Sequence, residues 1–226
     1  MKILIFGASG MVGQGVLREC LAAADVSQIV TVGRTPLTQA HPKLQQLVHA
    51  DLMRLDARKD ELRGFDACFF CLGVSSSGMD ENTYQKITYE LTLTVAKLLA
   101  ELNLEMTFVY VSGAGTDSSE QGRSMWARVK GKTENDLKKL PFRSIYLFRP
   151  SIIQPLHGAK SKTAAYRYFY NLSGPLLSLI RRLFPSFIVT TDDVGQAMLN
   201  AARQTNQRVL VAEAHDIARL SRGAHL

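Results

Sequence analysis

The stretch Lys2–Gly15, KILIFGASGMVGQG, decides how the rest of the chain is read. Ile3-Leu4-Ile5-Phe6 is a short continuous apolar run, the pattern of a parallel strand buried on both faces. Gly7, Gly10 and Gly13 follow, and a helical pattern then opens with Val12, Val16, Leu17, Cys20, Leu21 and Ala24. A strand entering a glycine-rich turn and then a helix is the context in which such glycines bind a dinucleotide. Gly7 lets the chain turn sharply, Gly10 lets a diphosphate approach bare backbone, and Gly13 lets helix and strand pack closely. Ala8, Ser9, Met11 and Val12 fill the turn and the helix start, where free N–H groups and the positive end of the helix dipole face the phosphates. The bland alternative is a strand–turn–helix with no ligand.

Composition narrows the class. The chain has 226 residues, 46% hydrophobic and 21% charged, which suits one α/β domain with a full core. Its N-terminus has too few apolar residues before Gly7 for a secretion signal, and no run reaches membrane-spanning length. With three cysteines besides, a cytoplasmic location is expected. The net charge of +7 comes from scattered residues without a basic block, so an ordinary basic surface or a site for a phosphorylated cofactor is favoured over nucleic-acid binding.

A second strand, Gln28–Val32, ends at Gly33-Arg34. NAD-preferring dinucleotide folds place an acidic residue near here for the ribose 2′-OH. This chain has Arg34 instead, whose guanidinium could grip a 2′-phosphate with two hydrogen bonds; otherwise it is a solvated arginine after a turn. NADP(H) is therefore favoured over NAD(H). Residues 35–46 read as a loop, and Leu47–Ala50 as a brief third strand ending at Asp51-Leu52. A fourth strand, Ala67–Cys71, runs into Leu72-Gly73-Val74. Cys68 and Cys71 form a C-x-x-C, but residues three apart on a strand point to opposite faces, and no other ligands complete a metal site. Asp80 opens a long helix with Tyr84, Ile87, Leu91, Val95, Leu98 and Leu102 as its buried stripe. A fifth strand, Thr107–Val111, delivers Ser112 to the C-terminal edge of the sheet, where open α/β sheets bind ligands; Ser112 also reads as a local turn hydroxyl.

The glycine spacing G-x-x-G-x-x-G, Arg34, Asp51, Gly73, Ser112, Lys130 and the turn Arg149-Pro150-Ser151-Ile152 together resemble the atypical short-chain dehydrogenase/reductase superfamily, near its epimerase/dehydratase-type, NmrA-like and Tat-interacting-protein-like branches. The resemblance implies that Asp51 bonds the adenine amino group with Leu52 beside it, unless Asp51 is a helix cap. It implies that Leu72, Gly73 and Val74 pass the adenosine ribose and that Pro150, Ser151 and Ile152 lie beside the nicotinamide. It also implies a Tyr-x-x-x-Lys pair one helical turn apart. Here the sequence reads Trp126-Ala127-Arg128-Val129-Lys130, followed by Gly131 and Glu134. Lys130 fits the ribose-binding lysine, or is a surface lysine; Trp126 stands where the tyrosine should, and an indole N–H does not titrate.

The implied fold is a Rossmann-type doubly wound parallel sheet: a single domain over 1–226 with residues 151–190 forming a small cap on the substrate cleft. Lys160, Lys162, Arg167, Arg181 and Arg182 mix there with Tyr166, Tyr168, Phe169 and Tyr170. Single-stranded nucleic acid, an anionic or apolar substrate and a membrane surface all suit that mixture, but a cap with its aromatics inward is favoured. Asp192 and Asp193 read as helix-capping carboxylates. The resemblance implies an NADP(H)-dependent oxidoreductase or epimerase/dehydratase-type enzyme on a small carbonyl or hydroxyl substrate, with Ser112, Lys130 and Trp126 at the reacting end. The alternative is a cofactor-binding sensor or scaffold that has lost its chemistry. A homodimer through the two long helices is common in that superfamily.

Overall fold

In the computed structural model, residues 1–159, 188–204, 206 and 208–226 are described. The aromatic and basic residues between Lys160 and Arg182 lie outside them.

Among the described residues, seven parallel strands form one sheet. Six of them are β1 (Lys2–Phe6), β2 (Gln28–Gly33), β3 (Leu44–Val48), β4 (Ala67–Phe70), β5 (Thr107–Val111) and β6 (Ser144–Arg149). A separate small pair comes next, β7 (Ile152–Gln154) with β8 (Ile188–Thr190), and β9 (Arg208–Glu213) is the seventh strand of the large sheet. The sheet order is β3-β2-β1-β4-β5-β6-β9. The chain starts in the middle, winds to one edge, and returns across β1 to build the other. The order reverses between β1 and β4, and a crevice opens at the C-terminal ends of the strands on either side of such a switch point.

Buried strands alternate between two apolar layers, as a period of two requires. Ile3, Ile5, Ile29, Phe69, Val109 and Phe148 face one core; Leu4, Phe6, Val30, Phe70, Phe108 and Leu147 face the other. The first core is closed by α1 (Met11–Ala22) and by two C-terminal helices, Thr191–Arg203 and Ala214–Ser221. The second is closed by a 3₁₀ segment Leu52–Leu62 and by a rod that begins at α2 (Glu81–Gln85), passes through a π turn (Lys86–Glu90) and continues as α3 (Leu91–Leu102). Helix α4 (Met125–Leu137) covers the same side, which makes the two C-terminal helices α5 and α6. Cys68 and Cys71 fall on opposite cores, and burial pushes both thiols above their ordinary range. No helix among the described residues is long and apolar enough to cross a membrane.

Two expectations need correction. Strand β3 begins at Leu44, inside the segment read as loop, and ends at Val48 rather than Ala50. It is an edge strand in which only Leu47 is buried, so its apolar pattern is nearly silent; pairing with β2 from Ile29↔Leu44 to Gly33↔Val48 holds it instead. The stripe Tyr84–Leu102 is broken by the π turn, which adds one residue and rotates the rest of the rod by about 100°. Tyr84 and Val95 are buried as the stripe implies, but Val95 is joined against the sheet by Leu93, Ala96, Leu99 and Ala100, while Ile87 and Leu91 are left half-buried at the edge of the crevice.

The caps are local chemistry. Asp80 accepts from the Thr83 N–H at 2.9 Å and its hydroxyl at 2.7 Å. Thr190 and Asp193 form a reciprocal capping box that starts α5, as the acidic pair suggested. Asp192 goes elsewhere: it pairs with Arg18 of α1 and with His157, 3.1 Å away.

Candidate functional site

The turn after β1 is built by close approach. Gly7 has φ +80°, and a Cβ there would stand 2.6 Å from the Leu72 nitrogen at the exit of β4. A Cβ on Gly13 would lie 2.2 Å from the Gly7 carbonyl oxygen, so no side chain fits between helix and turn. Gly10 is the N-cap of α1, without a capping side chain and with no carboxylate in the first turn. The helix start therefore keeps its N–H groups for an external acceptor, the arrangement that binds phosphate.

Beside this turn lies a cleft of about 770 Å³ over β1, β2 and β3. Gly7, Ala8, Ser9 and Gly10 form its inner end, and Leu72, Gly73 and Val74 form one wall. A Cβ on Gly73 would meet nothing within 4 Å, so the missing side chain leaves room rather than relieving protein packing. Asp51 and Leu52 form the opposite wall, with Asp51 accepting from the Met53 N–H at 3.0 Å as the cap of the 3₁₀ segment. Val48, Met53 and Val74, three of the exposed large apolar residues, rim the opening. Apolar side chains gathered at a mouth mark a ligand surface better than ones scattered singly.

Arg34 stands at the mouth, exposed, and no group among the described residues holds its guanidinium. Lys86, Ile87 and Leu91 also line the cleft. These three were not anticipated, because the π turn that presents them has no sequence signature.

The remaining candidates lie across the switch point. Met11, Val12 and Gly13 are the first turn of α1. Pro150, Ser151 and Ile152 follow β6, and the Pro150 carbonyl accepts from the Ala114 N–H at 2.9 Å, tying the β5 and β6 exits together. Here side chains do the building. Ser112 donates its hydroxyl to Glu134 Oε1 at 2.6 Å, with the Phe148 carbonyl 3.0 Å away. Glu134 is fully buried and is gripped by Arg149, whose Nε lies 3.0 Å from Oε1 and 3.2 Å from Oε2. Arg149 also donates to Ser118 Oγ at 2.7 Å and approaches Glu213 at 3.5 Å. A buried charge needs this much partnership.

Lys130 sits one turn before Glu134, and its Nζ donates to the carbonyls of Ser112 at 2.7 Å and Val111 at 3.3 Å. Desolvation pushes its pKa down to about 8, with Glu134 pulling the other way. Trp126, one turn earlier, lies over the Gly113–Gly115 loop: a Cβ on Gly115 would stand 3.6 Å from the ring. Gly131 is required because the Asp117 carbonyl crosses α4 there, 1.7 Å from where a Cβ would be. In the sequence Glu134 and Arg149 stand only as markers of the resemblance; a glutamate on the inward face of an amphipathic helix is the signal that it has a buried partner.

The NAD dependent epimerase/dehydratase family profile matches residues 3–134, more than half of the chain. The chain belongs to this family. Among its curated relatives, this epimerase/dehydratase-family protein is 29% identical over 155 residues to Protein HTATIP2 of Rattus norvegicus, a match covering 67% of the chain and 62% of that protein's length. It is 26% identical over 236 residues to Protein fmp52-1, mitochondrial, of Aspergillus terreus, covering 98% and 99%. Two solved structures share the fold: the Bordetella bronchiseptica enzyme WbmF in complex with NAD⁺ (TM-score 0.67, 16% identity, 98% of this chain and 77% of that one), and MoeE5 in complex with UDP-glucose and NAD (TM-score 0.70, 16%, 94% and 75%). The architecture is that of the atypical short-chain dehydrogenase/reductase superfamily, a Rossmann-type α/β domain.

Proposed function

We propose that the protein binds NADP(H) in preference to NAD(H) and acts as an oxidoreductase or epimerase/dehydratase-type enzyme on a small carbonyl or hydroxyl compound. Several observations support a nicotinamide dinucleotide: the family, the glycine turn against an uncapped helix, and a cleft whose dimensions and apolar rim suit an adenosine. In this reading the diphosphate lies at Gly7–Gly13, the adenosine between Asp51-Leu52 and Leu72–Val74, and the nicotinamide beside Pro150–Ile152 with Lys130 at its reacting end. The bound cofactor would supply hydride transfer.

The observation that carries the NADP preference is Arg34. It stands at the mouth of the cleft uncommitted to any described residue, just past the end of β2 at Gly33, where Arg34-Thr35 bring no carboxylate to repel a phosphate. Titration with NADPH and NADH, followed by nicotinamide fluorescence, tests it. NADPH is expected to bind at least tenfold more tightly, and equal affinities would remove the preference from the reading.

A second reading, a cofactor-binding sensor with lost chemistry, draws on Trp126 and on the inward commitment of the Ser112 hydroxyl. Tight NADPH binding with no turnover across a broad carbonyl panel would favour it. A cytoplasmic location belongs to the main reading; the mitochondrial names of fungal relatives pose the alternative, which cell fractionation decides.

A further inference from the structure

The proposed chemistry needs a group that exchanges a proton with the substrate oxygen, and the family tyrosine is missing. The side chains around its position narrow the choice. Trp126 has an N–H that does not titrate. The Ser112 hydroxyl proton is engaged by Glu134 Oε1 at 2.6 Å. Tyr110 is buried beneath Lys130, its ring 5.6 Å from Nζ, and burial raises its pKa far above the ordinary tyrosine range. Tyr84, near Tyr110, is likewise buried and raised. Glu134 and Glu213 are held by Arg149, and Glu81 by Arg128 at the start of α4.

That leaves Lys130. An ammonium has three N–H donors. Two go to the Ser112 and Val111 carbonyls, and the third has no acceptor among the described residues. The residue as a whole is half-buried, while desolvation of its amine lowers the pKa.

We propose that Lys130 carries the proton transfer that the superfamily gives to tyrosine: its Nζ ammonium protonates the substrate carbonyl oxygen as a hydride from reduced nicotinamide dinucleotide reaches the carbonyl carbon. The carbonyl π bond opens, C–H and O–H bonds form, and Nζ is left as a neutral amine that regains its proton from water. In the reverse direction the neutral amine accepts the hydroxyl proton. Glu134 is the positioning residue. Its carboxylate fixes Ser112, whose carbonyl holds Nζ, and its negative charge favours the ammonium. The pKa of about 8 keeps both forms accessible near neutrality, the condition for general acid–base work. The proposal rests on the NADP(H) oxidoreductase reading.

The first test needs no substrate. The lysines of the whole protein are dimethylated with ¹³C-formaldehyde, and Lys130 is assigned by its loss in Lys130→Arg. Its resonance is expected to titrate near 8, well below the surface lysines, and lower still in Glu134→Gln. Titration together with the bulk lysines would overturn the proposal. The second test is reduction of 9,10-phenanthrenequinone by NADPH, with cofactor binding followed by fluorescence in the same samples. Turnover should fall as pH rises through about 8, because the ammonium is lost. It should drop about a hundredfold or more in both Lys130→Met and Lys130→Arg with NADPH still bound. A lysine that only held the ribose would be partly rescued by arginine, so an active Lys130→Arg with an unchanged pH profile overturns the assignment. So does an enzyme that binds NADPH and reduces no carbonyl compound. Failure to bind NADPH at all would instead bring down the cofactor reading, leaving the lysine titration to be judged separately.

Discussion

The two sides of the crevice are made differently. The side over β1, β2 and β3 is backbone and empty space: glycines at Gly7, Gly10 and Gly73, an uncapped helix start, and an arginine with no partner among the described residues. The side at the ends of β5 and β6 is a closed circuit of side chains, in which Ser112, Glu134, Arg149, Ser118 and Glu213 satisfy one another and Lys130 is anchored by two carbonyls. The first side turns its polar groups outward, to a ligand. The second turns them inward, to hold geometry.

Four substitutions break or sharpen that contrast. The largest effect is expected on the closed side. Glu134→Leu strands the Arg149 guanidinium, which is only 13% exposed, and removing one partner of a buried pair costs about 3–5 kcal/mol. In a domain of this size that lowers Tm by about 6–20 °C. A thermal scan showing less than about 2 °C would mean that Glu213 and solvent already satisfy Arg149.

Gly13→Ala comes next. With its Cβ 2.2 Å from the Gly7 oxygen, either α1 or the turn must move, at about 1–3 kcal/mol. Cofactor affinity should fall with stability, since the same atoms build both. Unchanged NADPH binding in calorimetry would show that the turn is architecture only.

Arg34→Ala, on the open side, should leave stability within about 0.5 kcal/mol, because no described part of the fold leans on this exposed side chain. It should weaken NADPH by about ten- to a hundredfold, the loss of a charge-assisted contact worth about 1.5–3 kcal/mol, and spare NADH. Equal losses for the two cofactors would place the phosphate elsewhere.

The smallest effect on folding is expected from Gly73→Ala, whose new methyl meets only open space. Stability should hold while NADPH affinity falls. If binding is also unchanged, no ligand passes that wall.

The open side was therefore the legible one. A glycine turn after Ile3–Phe6, an arginine in place of an acid at the end of β2, and the exit of β4 are local features, readable because backbone conformation and strand burial are set by neighbours in sequence. Strand β3 escaped because an edge strand with one buried residue takes its identity from its partner β2. The phase of Ile87 and Leu91 escaped because a π turn is stabilised by what packs on both sides of it.

What the sequence determined by itself is the doubly wound parallel sheet and the turn able to take a diphosphate, carried by period-two and helical burial and by glycines where a Cβ cannot stand. What only the tertiary structure decided is the meaning of Ser112, Lys130, Glu134 and Arg149. Their hydrogen bonds join residues 15–36 apart in the chain, and whether a hydroxyl or an ammonium is free for chemistry depends on which partners folding places within 3 Å of it.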